Sequence, residues 1–347
     1  MSEILAHPQG WKSLQFPPAC VTGIGSLPHP DPRQAVEFVS QFAPALPFWP
    51  QLPRRDTRES MVPQMLGRLA EILLPRTDVH GFEIPSSELK RFLRHLQSHP
   101  ARFDPSCAAG FFQFERALKN DLFPDAGAVK GQLTGPLTLS LSLLCGQESF
   151  AGRLEWVQEL SSYLARLAQW QIERFAGLGK QVVLFIDEPV LPVIAQQPAD
   201  SPFQHLIPLL RDLVRKVQRL GAIVGLHCCA PDPLPAMLKV EPDIFSFDAY
   251  ENLESLFNTE AGRAILRSDR LVAFGMVPAL TDFAGFQEDS LIKRWHQSSP
   301  DANGRRAILS RSLITATCGL GLLGEDAARD SFQLARRIAD ELARSEA

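Results

Sequence analysis

The feature that most constrains this chain is an alternation of two periodicities. Short β-branched or apolar runs, closed by polar, Gly or Pro residues, are separated by stretches of helical spacing. The runs lie at 20–25 (CVTGIG), 78–83 (DVHGFE), 127–132 (GAVKGQ), 181–187 (QVVLFID), 222–228 (AIVGLHC), 243–248 (DIFSFD), 271–276 (LVAFGM) and 312–317 (SLITAT). Between them, 151–178 sets apolar residues three and four apart and stops at Gly177 and Gly179; 203–219 does the same before Gly221. Eight strand-like runs alternating with helices predict an α/β chain, a single (β/α)8 TIM barrel over 1–347, with a doubly wound open sheet as the alternative. One stretch interrupts the pattern. Residues 44–61, PALPFWPQLPRRDTRESM, are too proline-rich for a regular helix and too aromatic for a disordered linker. They are expected to form a long loop insertion that packs on something, with Phe48, Trp49, Arg54 and Arg55 covering the barrel mouth or lining a donor site.

Composition narrows the function. The 347 residues are 45% hydrophobic and 21% charged, with a net charge of -4, which suits a sizeable core and offers no basic field for nucleic acid or a membrane surface. No stretch approaches the roughly 20 apolar residues of a membrane span. The start MSEILAHPQG lacks the regions of a signal peptide, so a cytoplasmic protein is expected. Six cysteines are too sparse for a disulfide scaffold and read as free thiols, metal ligands or nucleophiles.

A barrel carries its active site at the C-terminal ends of its strands. The residues delivered there are Gly25-Ser26, Glu83, Gln132 with Thr134, Asp187-Glu188-Pro189, His227-Cys228-Cys229, Asp248 and Cys318-Gly319. Strand alternation puts His227 and Cys229 on one face and Cys228 on the other. Taken alone, that spacing is commoner in buried core than in a metal site. Cys318 changes the balance, because a closed barrel brings its strand end to the same mouth. His227, Cys229 and Cys318, with Asp248 or Glu251 as a weaker fourth ligand, predict a catalytic zinc site with an exchangeable position. Cys20, Cys107, Cys145 and Cys228 read as core or incidental, and His29 as a surface-loop histidine. Asp187 and Glu188, two acids behind five apolar residues and before a proline, read as functional, with a structural strand terminus or N-cap as the alternative.

VTGIGSLPHPD, KGQLTGPLTL, FIDEPVL, LHCCA, PDIFSFDAYE and TATCGLG occur in that order along nearly the whole chain. In these stretches the sequence resembles the catalytic C-terminal barrel of cobalamin-independent methionine synthases, within the group that includes uroporphyrinogen decarboxylase-like barrels. The resemblance implies zinc on His227, Cys229 and Cys318, with the family's glutamate ligand falling on Asp248. It implies that Ile24, Gly25 and Ser26 hold the backbone groups of a thiol amino acid and that Asp187 pairs with its ammonium. Glu59 and Glu83 are both candidates for a second acid there.

The implied activity is transfer of a methyl group to a thiol, most simply homocysteine to methionine. Three departures bear on the donor and the zinc. The chain is expected to lack the family's additional folate-binding N-terminal half. The seventh unit, AFGMVPALTDF, has no histidine where the family handles a leaving-group proton. Aspartate replaces glutamate at the fourth ligand. A methylcorrinoid carried by a partner protein is therefore expected as donor in place of methyltetrahydrofolate. The alternatives are a decarboxylase-like or coenzyme M methyltransferase relative with another acceptor, and a non-catalytic barrel that binds zinc or a corrinoid protein.

Overall fold

A computed structural model describes Lys12, Leu14, residues 16–76, 81–198, 200–282, Phe286, 288–298 and 301–346. Its centre is a seven-stranded sheet made of β1 (Cys20–Val21), β2 (Ala128–Thr134), β3 (Gln181–Asp187), β4 (Ile223–Cys228), β5 (Ile244–Asp248), β6 (Leu271–Val277) and β7 (Ser312–Ala316). All pairings are parallel, in the order β1-β7-β6-β5-β4-β3-β2. Helices occupy the connections, including Leu154–Ala176 and Leu206–Arg219. The first buries Val157, Leu160, Leu164, Leu167 and Phe175 along one stripe, each worth about 1.5–3 kcal/mol of transfer free energy.

The sheet is buried on both faces. The larger apolar cluster lies between strands and helices. A smaller one draws on all seven strands: Cys20, Ala128, Val183, Phe185, Ile223, Ile244, Leu271, Ala273 and Leu313, joined by Leu46. Residues of like parity from every strand meet there, as the concave interior of a curled sheet requires.

The described end of the strand expected at 78–83 is not part of this sheet. Residues 78–80 lie outside the described residues. Phe82–Glu83 belong to a separate four-stranded sheet, pairing antiparallel with Leu74–Pro75 and parallel with Leu143–Cys145. The segment that touches both edges of the main sheet is instead the proline-rich stretch expected as a loop. Pro47 O accepts from Lys130 N (2.7 Å), and Trp49 N donates to Lys130 O (3.2 Å). On the other side Gln51 N donates to Gly25 O (3.0 Å), and Gln51 O accepts from Leu27 N (2.9 Å). Pro47 and Pro50 sit where neither nitrogen is asked to donate, so a segment unfit for a regular ladder still bonds both edges.

Phe48 and Trp49 do not cover the mouth. Both are fully buried: Phe48 stacks on Phe332, and Trp49 packs against Phe103 and Phe111 and donates from Nε1 to Gln171 (2.9 Å). Among the described residues no helix is long and apolar enough to cross a membrane.

Candidate metal and acceptor site

Strand register assembles the polar layer. Thr134 pairs with Asp187, Asp187 with His227, and His227 with Ser246, across four neighbouring strands. All four are buried above the apolar interior cluster, Thr134, Asp187 and His227 at the C-terminal ends of their strands and Ser246 in the middle of β5. The layer reaches that depth because β3 ends its apolar run on the parity that Val183 and Phe185 use below it. Gly225 in β4 provides the room. A Cβ there would stand 2.4 Å from the Phe185 ring, so only glycine lets that ring fill the space below His227.

His227 Nδ1 lies 3.0 Å from Ser246 Oγ, while its buried Nε2 makes no regular hydrogen bond among the described residues. When the hydroxyl accepts at Nδ1, the Nε2 lone pair is left available to a ligand. The Cys229 and Cys318 sulfurs lie 3.9 Å apart. Two sulfurs bound tetrahedrally at Zn–S distances of ~2.3 Å would be about 3.8 Å apart. The two thiols titrate as a pair. Cys229 pulls the Cys318 thiol down, with His227 acting in the same direction, and Cys229 is pushed up by the same contact and by burial. Cys228 is turned the other way, fully buried in the cluster between sheet and helices, where burial lifts its thiol to about 12.

Asp248 has another task. It N-caps the helix Ala249–Asn258, its Oδ1 accepting from Glu251 N at 3.0 Å, and Glu251 is exposed on that helix. Among the described residues no group of three or more His, Cys, Asp or Glu side chains stands arranged as a metal site. The donor chemistry nevertheless suits a thiophilic divalent ion for three residues: a thiol pair at a tetrahedral edge and, beside it, an imidazole nitrogen that makes no regular hydrogen bond among the described residues. The cap engages Asp248 through Oδ1, and His227 is among the charges that act on this carboxylate.

The adjacent acids separate by face. Asp187 points inward, its Oδ1 buried without a partner; burial raises its carboxyl to about 6 against the pull of His227 and Lys130. Glu188 points to the chain following β2. It accepts from Leu137 N (2.8 Å), Thr138 N (2.8 Å) and Thr138 Oγ1 (2.6 Å), closing the start of the helix Pro136–Leu141. A Cβ on Gly135 would meet Glu188 Oε1 at 2.1 Å, so TGP and DEP form one interlocked unit. Glu188 takes the structural, capping alternative of the two readings of the pair.

Other candidates fall in distinct places. Ser26 is bound to the loop after Cys318: its carbonyl accepts from Leu320 N (3.0 Å) and its Oγ from Gly321 N (3.1 Å). Glu59 is fully buried beside Arg55, which donates to Oε1 at 2.6 Å, while Oε2 has no partner. Glu83 is half-buried in the small sheet. His29 is not a surface residue; it is buried, its ring 4.9 Å from that of Phe38. Arg54 donates to Leu322 O at 3.0 Å, tying 44–61 to the Cys318 loop.

Sequence reasoning missed Ser246 and Lys130. Lys130 is fully buried in β2, with Nζ 2.5 Å from Ile24 O and 4.4 Å from the Phe185 ring centre. The available signal was parity: Lys130, Gln132 and Thr134 are three polar residues on one face of a strand.

No protein-family model matches the sequence, and no curated protein matches it. Solved structures do. A B12-independent methionine synthase from Shewanella sp. W3-18-1, in complex with selenomethionine, superposes with a TM-score of 0.56 and 15% identity over 95% of this chain and 98% of that one. A methyltransferase from Methanosarcina mazei gives 0.50 and 12% identity over 95% of each chain. At such identities the likeness is one of fold, and the fold this chain shares with them is an α/β architecture of TIM-barrel type.

Proposed function

We propose that this chain is a zinc-dependent methyltransferase that moves a methyl group to a thiol, homocysteine being the simplest acceptor. The observation that carries the reading is the thiol pair of Cys229 and Cys318 at 3.9 Å, beside a histidine whose Nε2 is buried without a partner. The proposed backbone is a closed eight-unit barrel, with 47–51 standing as the second unit between β1 and β2. Two methyltransferases of the same fold support the choice of reaction class.

In this reading His227, Cys229 and Cys318 hold the metal. Zinc bound there would supply one thing, deprotonation of an acceptor thiol whose free pKa is about 8.5. The protein's own groups do the rest. Ser246 fixes the His227 ring, and Asp187 offers a buried carboxylate oxygen to the acceptor's ammonium. Ile24, Gly25 and Ser26 line the opposite side. Glu59 is the better candidate for a second acid. It is buried two residues from Met61, whose carbonyl accepts from Thr134 Oγ1 at 2.8 Å, whereas Glu83 pairs within the small sheet. Placing a thiolate in line with a methyl donor is the main source of rate.

A methylcorrinoid, carried by a partner protein, is the proposed donor. The segment after β6, 278–282, carries no histidine to protonate a folate nitrogen, and a cobalt(I) leaving group needs no proton. Leu280 and Leu322, exposed in the segments after β6 and β7, leave apolar surface for a large donor. The test is zinc content after purification under reducing conditions, followed by homocysteine methylation with methylcobalamin and with methyltetrahydrofolate. Near-stoichiometric zinc and turnover with the corrinoid are expected. Protein that holds no zinc sinks the metal site, and turnover with folate alone sinks the donor assignment.

A further inference from the structure

Lys130 stands on no proposed ligand and at no strand end, yet it is 0% exposed in the sheet's interior. Burying an unpaired ammonium costs several kcal/mol, so a lysine there needs compensation. Compensation comes from the Ile24 carbonyl at 2.5 Å, the Gln132 Oε1 at 3.5 Å and the face of Phe185 at 4.4 Å. Burial still draws the ammonium down to about 7, against the opposing pull of Asp187.

The Ile24 carbonyl begins a run of bonds. Gly25 O accepts from Gln51 N, Leu27 N donates to Gln51 O, Ser26 O accepts from Leu320 N, and Ser26 Oγ accepts from Gly321 N. Leu320 and Gly321 lie two and three residues after Cys318. A single buried side chain in β2 is thus joined, through the turn after β1, to the loop that carries one of the two close thiols.

We propose that Lys130 is a positioning residue: its bond to Ile24 O sets the 24–27 turn and, through Ser26, the loop bearing Cys318. For acceptor binding this deepens, and rests on, the reading of Ile24–Ser26 and Cys318 as one site. The bonds of the lysine run to Ile24 O and Gln132 Oε1 and to none of the proposed metal ligands. It acts by holding the backbone that does, and small misplacements of such backbone carry large kinetic costs.

The experiment compares the full-length wild type with Lys130→Met, Lys130→Gln and Lys130→Arg in two arms. Hydrogen exchange reads the amides of Leu27, Gln51, Leu320 and Gly321, each bonded within the run. In Lys130→Met these should exchange about tenfold faster while β3–β6 amides stay unchanged. Homocysteine titration and kinetics form the second arm: KM should rise about tenfold or more with kcat nearly kept, and Lys130→Arg, which retains charge and donors, should recover part of the loss. Unchanged exchange at the four amides overturns the proposal. So does loss of the folded protein in both the Met and Gln variants, which makes the lysine a stability element only. Wild type that binds no homocysteine, with the exchange pattern still as expected, refutes the acceptor reading and leaves the positioning role standing.

Discussion

The sulfurs of Cys229 and Cys318 lie 3.9 Å apart although 89 positions separate the residues in the chain. β4 and β7 are not neighbours in the sheet; β5 and β6 lie between them. Curvature of the sheet, not strand pairing, brings the thiols together.

Substitutions within the LHCC stretch should therefore diverge. Cys229→Ser and Cys318→Ser are each expected to lower bound zinc to below about a tenth of wild type, because a hydroxyl is a far poorer zinc ligand than a thiolate. Cys228→Ser should keep the metal and cost about 1–3 kcal/mol of stability, since it buries a hydroxyl among apolar side chains. Elemental analysis and urea unfolding of the three variants check both statements. Zinc lost from Cys228→Ser but kept in Cys229→Ser would reverse the assignment.

Ser246→Ala removes the oxygen at 3.0 Å from His227 Nδ1. A partner that orients a ligating histidine is typically worth 10–100-fold in metal affinity, so competition with a chelator should show a loss of about that size. The fold should lose about 1 kcal/mol. Unchanged zinc affinity would mean that the serine does not set the ring.

Gly135 and Glu188 make a stability prediction independent of any metal. Gly135→Ala places a methyl 2.1 Å from where Glu188 Oε1 lies, and Glu188→Ala strips acceptors from three buried donors. Each should cost about 3 kcal/mol or more, read as a fall in urea midpoint with unchanged slope. The double variant should cost less than the sum, because both changes break one contact.

Thiol reactivity should follow burial. Cys20 and Cys228 are both pushed up to about 12 by burial, so at pH 8 only about one thiol in 10,000 is ionised, and both are also shielded from reagents. Alkylation of the native metal-free protein, mapped by mass spectrometry, should mark exposed Cys318 early and these two only after unfolding. Labelling of Cys20 at the Cys318 rate would contradict the interior packing.

What the sequence determined by itself were the elements with strong local patterns. The run QVVLFID is expected at 181–187 and forms β3 over those same residues, and the units ending in His227, Asp248 and Cys318 lie within a residue or two of their expected places. Apolar runs of that length have one economical fate in an α/β chain, a strand buried on both faces. Direction was also local: alternation alone separated Cys228 from Cys229 and His227.

Tertiary structure decided the rest, because those outcomes rest on partners remote in sequence. The segment 47–51 has no strand periodicity; it lies between the two sheet edges because β1 and β2 leave backbone groups that it satisfies, while 82–83 found partners in another sheet. Lys130 is tolerable inside because the Ile24 carbonyl, Gln132 Oε1 and the Phe185 face meet it there. Asp187 and Glu188 look alike in sequence. One ends in the interior and the other closes a neighbouring helix, since adjacent strand residues face opposite ways and each face had different donors waiting. Asp248 met a free amide at the next helix start, so one oxygen of that carboxylate also caps a helix, a role its place in the sequence did not show.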